Sequence, residues 1–162
     1  MPSVVRGKGR CRTFDLFIMG VSYPRPGELP FLLVDSEDAV HSGHSAWQHL
    51  KARNNWDKPN GASDDQAFLM VHLMETWFIA DRKMLRRYFG PSLRENHLPA
   101  TPTLEAVSKG QVLDALDNST AGCSKWYAKG KVSFELLAEL DPAEVAKACP
   151  HAERLLRRLR SM

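Results

Sequence analysis

Phe31-Leu32-Leu33-Val34-Asp35-Ser36-Glu37-Asp38 is the stretch on which the fold turns. Four apolar residues follow Pro30 and run into three carboxylates within four positions. An uninterrupted apolar run of this length predicts a strand over 31–34 buried on both faces. Such strands sit in parallel sheets, and their carboxyl ends form the crevice where α/β proteins place their sites. Carboxylates crowded there repel one another, and a hard cation such as Mg²⁺ relieves that repulsion. The segment therefore reads either as a strand delivering acidic metal ligands or as a buried strand followed by a solvated acidic turn.

Working outward, residues 10–21 predict a helix, with Phe14, Phe17, Ile18 and Val21 at i, i+3, i+4, i+7 spacing. Ser3-Val4-Val5 before it predicts a short strand, cut off by Gly7 and Gly9. Strand, helix and strand in that order predict a βαβ unit. Residues 46–53 predict a short helix, and 54–63 a polar loop. The run Ala67-Phe68-Leu69-Met70-Val71-His72-Leu73-Met74 is ambiguous. Ser63 followed by Gln66 has the form of a capping box and argues for a helix through to Asp81. The near-continuous apolar run argues for a second buried strand. The strand reading, ending near His72 with a helix from Glu75, is preferred here. Beyond it, Asp81 caps a helix to Phe89 closed by Gly90 and Pro91, and Ser108 with Gln111 opens another. Residues 120–131 form a Gly- and Lys-rich loop, Ser133 opens a helix over 134–140, Asp141-Pro142 starts a further one, and Pro150 starts the last. The expected architecture is one α/β domain over 1–162: a small, mostly parallel sheet with flanking helices and a helical C-terminal third.

The 162 residues, 43% apolar and 25% charged, allow a real core. A net charge of +3 permits a nucleic-acid partner without demanding one. Cys11, Cys123 and Cys149 form no CxxC pair, which argues against a disulfide framework and for a reducing, cytoplasmic setting. No apolar h-region follows Met1, and no run is of membrane-spanning length. A GxxxxGK[ST] loop and a GxSxG elbow are both absent, which argues against P-loop ATP binding and elbow-type hydrolysis.

Asp35 and Glu37 lie two apart and can face one side of an extended chain. If the second strand forms, Glu75 emerges beside them, and the three carboxylates are expected to converge on one patch. A carboxylate among Met74, Trp77, Phe78 and Ile79 needs a partner or a cation, although a Glu in a first helical turn also needs no function at all. His41 and His44 match no standard zinc spacing. Lys125, Lys129 and Lys131 interleave with Trp126 and Tyr127, a pattern suited to phosphate contacts and base stacking, and equally to a solvated loop with one packed aromatic.

A resemblance spans nearly the whole chain. Its motifs, in order, are Leu33-Val34-Asp35-Ser36-Glu37-Asp38, Trp47-Gln48-His49-Leu50-Lys51, Trp56-Asp57-Lys58-Pro59, Met74-Glu75-Thr76-Trp77-Phe78-Ile79-Ala80-Asp81, Tyr127-Ala128-Lys129-Gly130-Lys131-Val132-Ser133-Phe134-Glu135-Leu136-Leu137 and Pro150-His151-Ala152. Together they resemble the bacterial domain-of-unknown-function family 4276, itself similar to TOPRIM domains, the metal-binding α/β fold of topoisomerases, primases and a group of nucleases. The resemblance implies that Asp35 and Glu37 hold the place of the TOPRIM paired acidic motif and that Glu75 belongs to a Glu-x-Trp signature. It implies Mg²⁺ or Mn²⁺ bound by Asp35, Glu37 and Glu75 and a nuclease-type hydrolase with Glu75 and Asp35 as catalytic groups; the lysine-rich loop adds Lys129 and Lys131 as candidate phosphate contacts. It also implies an ABC-type ATPase as partner, which opens a rival reading as a non-catalytic accessory subunit. TOPRIM domains carry a further Glu on a first strand preceding the segment that aligns here with Ser3-Val4-Val5. This chain begins after it, so the expectation is an N-terminally shortened domain with little or no cleavage of its own.

Overall fold

The computed structural model describes residues 3–100 and 102–162. They divide into two compact units, the first made of the residues up to 36 together with 40–69, the second of 37–39 together with 70 to the end. The architecture is mixed α/β, with a small parallel two-stranded sheet, flanking helices and helices through the C-terminal part.

In the first unit, α1 (Arg10–Ser22) follows the predicted apolar stripe: Phe14 and Phe17 are buried, with Ile18 and Val21 packed against them. Strand β1 (Leu32–Asp35) pairs with β2 (Ala67–Met70), and α2 (Ala46–Asn54) lies between them in sequence. Phe14 stacks on Trp56 with ring centroids 4.3 Å apart, and Phe17 meets Trp47 at 5.7 Å. Leu32, Val34, Leu50, Ala67 and Leu69 complete this core. Helix α2 starts with a capping box in which Ser45 accepts from the Gln48 backbone and Gln48 returns a bond to Ser45.

Three expectations change. Ser3-Val4-Val5 is not a strand: the segment carries no regular structure, and Val4 and Val5 are exposed. Two valines with Gly7 and Gly9 close behind are too few to bury a strand face, so the strand–helix–strand unit is β1–α2–β2 instead. The second change concerns β1, which starts one residue late and alternates buried with half-buried positions, Leu32 and Val34 inward and Leu33 and Asp35 less so. In a sheet of two strands both are edges, so neither is the central, fully buried strand that the apolar run suggested. The third concerns the Ser63–Gln66 box, which is real but caps a single 3₁₀ turn, Asp64–Gln66, that hands over directly to β2. The strand preference for the following run holds, and α3 (Glu75–Ala80) begins at Glu75 as expected.

The second unit is helical: α3, α4 (Arg82–Phe89), α5 (Lys109–Thr120), α6 (Lys131–Glu139), α7 (Pro142–Ala148) and α8 (Pro150–Arg160). Phe78, Ile79, Met84, Leu85, Leu116 and Leu136 form its centre. Asp81 caps α4 by accepting from Met84 N at 2.9 Å, and its other oxygen accepts from Asp141 N, also at 2.9 Å. Asp141 in turn caps α7, with Pro142 at the first helical position. Helix α6 starts at Lys131, earlier than expected, so Ser133 is an interior residue rather than the cap. Among the described residues no helix is long and apolar enough to cross a membrane.

Candidate functional site

The residues of the acidic turn divide between the two units, and each is held within its own. In the first unit, β1 delivers a half-buried Asp35 at its carboxyl end, followed by a fully buried Ser36. His49, buried on α2, places its Nε2 2.9 Å from the Ser36 carbonyl. A carbonyl only accepts, so that nitrogen carries the proton and donates. The α2 capping box thus fixes a helix whose histidine pins the backbone just after Asp35.

In the second unit, Glu37 adopts φ 65° and His72 φ 60°, both in the left-handed region that non-glycine residues seldom occupy. The Glu37 backbone N–H donates to the His72 carbonyl at 3.0 Å, so the two unusual residues brace each other. The Glu37 carboxylate pairs with Lys109, the first residue of α5. Asp38 is exposed.

Glu75 opens α3 and is only 5% exposed. Its Oε1 accepts from the Tyr127 hydroxyl at 2.6 Å, and that hydroxyl lies 3.1 Å from Ser133 Oγ. Lys129 Nζ stands 3.9 Å from the same Glu75 oxygen. Burial, with the hydrogen bond to Glu75 adding to it, pushes the Tyr127 phenol well above its usual value, so it stays protonated and donates. Tyr127 N–H donates to Thr120 Oγ1 at 2.9 Å, which ties the loop to the end of α5.

Glu37 and Glu75 therefore belong to the second unit, each with a lysine beside it, and Asp35 belongs to the first. His41 and His44 are exposed in the first unit, their rings edge to face at 5.3 Å. Lys129 and Lys131 are both exposed, the latter 3.7 Å from Glu135 one turn along α6. Carboxylate oxygens are the right donors for Mg²⁺ or Mn²⁺. As held, however, the set does not fit an ion: Glu37 and Glu75 sit against ammonium groups, and among the described residues no three His, Cys, Asp or Glu side chains are grouped to ligate one.

Four contributors were not visible as such in the sequence. Ser133 reads in sequence as a helix start and Tyr127 as a packed aromatic, and nothing in the sequence singles out Lys109 or the hydrogen bond of His49. Only the spacing between Glu75 and the Tyr127–Ser133 segment hid their meeting, because a pairing across 52 positions leaves no local pattern.

The sequence profile described as a domain of unknown function, DUF4276, matches residues 13–160. The chain belongs to the DUF4276 family. That span takes in both compact units, from α1 to the last turn of α8. No curated protein matches this DUF4276 chain, and no solved structure does.

Proposed function

We propose that this DUF4276 chain is a TOPRIM-like domain of the Mg²⁺- or Mn²⁺-dependent nuclease kind that engages nucleic-acid phosphodiesters and does not cut on its own. The observation that carries the second half is the pairing of its acids with its own donors, Glu37 with Lys109 and Glu75 with Tyr127 and Lys129. A divalent cation must compete with an ammonium already in place, which weakens its binding. Asp35, Glu37 and Glu75 correspond in this reading to the acids of the nuclease group's motifs, with no ion and no cleavage assigned to them as they are held here, and phosphate contacts fall to Lys129 and Lys131. The same pairing favours a second reading, a non-catalytic accessory subunit working with an ABC-type ATPase, since lysine-held carboxylates are stable without chemistry to perform.

The test incubates the chain with plasmid and single-stranded substrates, with Mg²⁺ or Mn²⁺ and with chelator. Little or no cutting is expected. Robust metal-dependent cutting, abolished by Asp35→Ala or Glu75→Gln, would show that the chain is an active nuclease and overturn its silence. Binding to nucleic acid without cutting supports the reading as stated, and failure to bind any nucleic acid hands the case to the accessory reading.

A further inference from the structure

The loop between α5 and α6 is built in an unusual way. Of residues 121–130 only Cys123 and Tyr127 are buried, and both are anchors. Cys123 N donates to Thr120 O at 2.9 Å, and Tyr127 is held through its backbone N–H to Thr120 and its hydroxyl to Glu75 and Ser133. Between and beside these anchors the loop holds Trp126 out to solvent at 66% exposure. Cations lie close to it in sequence. Lys125 precedes it, its Nζ 5.1 Å from the centre of the Tyr88 ring. Lys129 and Lys131 follow, and the exposed Arg94 lays its guanidinium against Gly122, close enough that a Cβ there would lie 3.2 Å from Nη2. The carboxylates near this loop are the buried Glu75, Glu135 on α6, which is taken by the Tyr88 hydroxyl and lies 3.7 Å from Lys131, Glu139, which pairs with Arg87 and acts on Tyr88, and the exposed Asp117 on α5, close enough to act on Tyr127. The loop thus presents an exposed indole between two anchored positions, with the exposed Lys125, Lys129 and Lys131 close to it in sequence.

We infer that this loop is a single-strand nucleic-acid platform, with Trp126 stacking on an unpaired base and Lys125, Lys129 and Lys131 contacting flanking phosphates. This rests on the nucleic-acid reading above and narrows its substrate. The bases of a duplex are stacked on one another and paired, so an indole face gains a partner only where the strand is open. The buried Tyr127 next to it means little loop freedom is lost on binding, which favours affinity. Charge complementarity selects a polyanion, and the flat aromatic gives a stacking partner to one that carries unpaired bases.

The experiment measures anisotropy of a labelled single-stranded oligonucleotide and of a hairpin duplex of equal charge, in chelator so that no cutting intervenes. Trp126→Ala should weaken single-strand binding about tenfold to a hundredfold, in line with the loss of one base–aromatic stack. Trp126→Phe should restore most of it, and duplex binding should change little. Replacing Lys125, Lys129 and Lys131 by Gln should flatten the salt dependence of single-strand binding by a slope of about 2, since each phosphate contact on a single strand contributes about 0.7. Single-strand affinity indifferent to Trp126→Ala, or equal Trp126 dependence for the duplex, overturns the stacking platform and leaves the broader nucleic-acid reading standing. Binding to neither oligonucleotide, with or without binding to phosphatidylserine vesicles, overturns both. Trp126 is exposed, so its variants keep the fold, and circular dichroism checks this.

Discussion

Tyr127 concentrates more consequence than any other side chain of the second unit. Its hydroxyl is a donor to a buried carboxylate, and removing a donor from a buried charged acceptor costs about 1–3 kcal/mol. Tyr127→Phe keeps the ring and loses only that hydroxyl, so the unfolding free energy from a urea titration at neutral pH should drop by that amount. The pH dependence has a definite sign. The folded phenol ionises above the value of about 10 that it has in the unfolded chain, so its contribution is complete below that pH. As pH rises past it the unfolded chain releases its proton first, and the contribution is lost. Wild type should therefore lose its advantage over Tyr127→Phe in alkaline solution and keep it in mild acid. An advantage that grows with alkali would refute the assignment of a neutral donor.

At the scale of elements, the fold is organised by its caps. Asp81 is 3% exposed and uses one oxygen on α4 and the other on the start of α7. Asp81→Ala removes a cap and leaves the part-buried backbone N–H of Asp141 without its acceptor, which together predict a loss of about 1–3 kcal/mol. Asp81→Asn keeps one acceptor and should lose about half as much; equal losses for the two variants would show that charge rather than capping matters. Caps are also what the sequence displayed best. Ser63 with Gln66, Ser108 with Gln111, Asp81 and Asp141-Pro142 all occupy the positions their chemistry predicts. The helix boundaries read from them stand within a residue or two, except at Ser63, whose box caps a single 3₁₀ turn, and at α6, where Gly130 rather than Ser133 precedes the first turn. The strands were harder. The run from Phe31 to Val34 looks buried on both sides because all four residues are apolar, yet in a two-stranded sheet Leu33 lies on the less covered face. Composition records what a residue tolerates, not how many neighbouring strands exist to cover it. The candidate site was half legible: the acids were visible, while their partners Lys109 and Tyr127 came from elements far away in sequence.

At the scale of the whole molecule, two apolar cores serve two units. Leu50 is fully buried in the first and Leu116 in the second. Truncating either to Ala should cost about 2–5 kcal/mol in the unit that contains it. Hydrogen exchange followed by mass spectrometry should show Leu50→Ala releasing protection in α2 and β1, and Leu116→Ala releasing it in α3, α5 and α6. Protection lost evenly along the chain in both variants would mean that the units open together.

The pairing of Glu37 with Lys109 bridges 72 positions, and the second unit takes residues 37–39 from one stretch of chain and the rest from another. Synthesis on the ribosome runs from the N-terminus at about 5–20 residues per second, so the lysine is made about 4–14 seconds after the glutamate it meets. During that interval residues 40–69 have emerged and can assemble with β1 and α1, while the short acidic segment waits for its own unit. The order in which the chain is born therefore favours the sheet as the first structure to form, and the lysine that quenches Glu37 arrives as a late addition to a scaffold already standing.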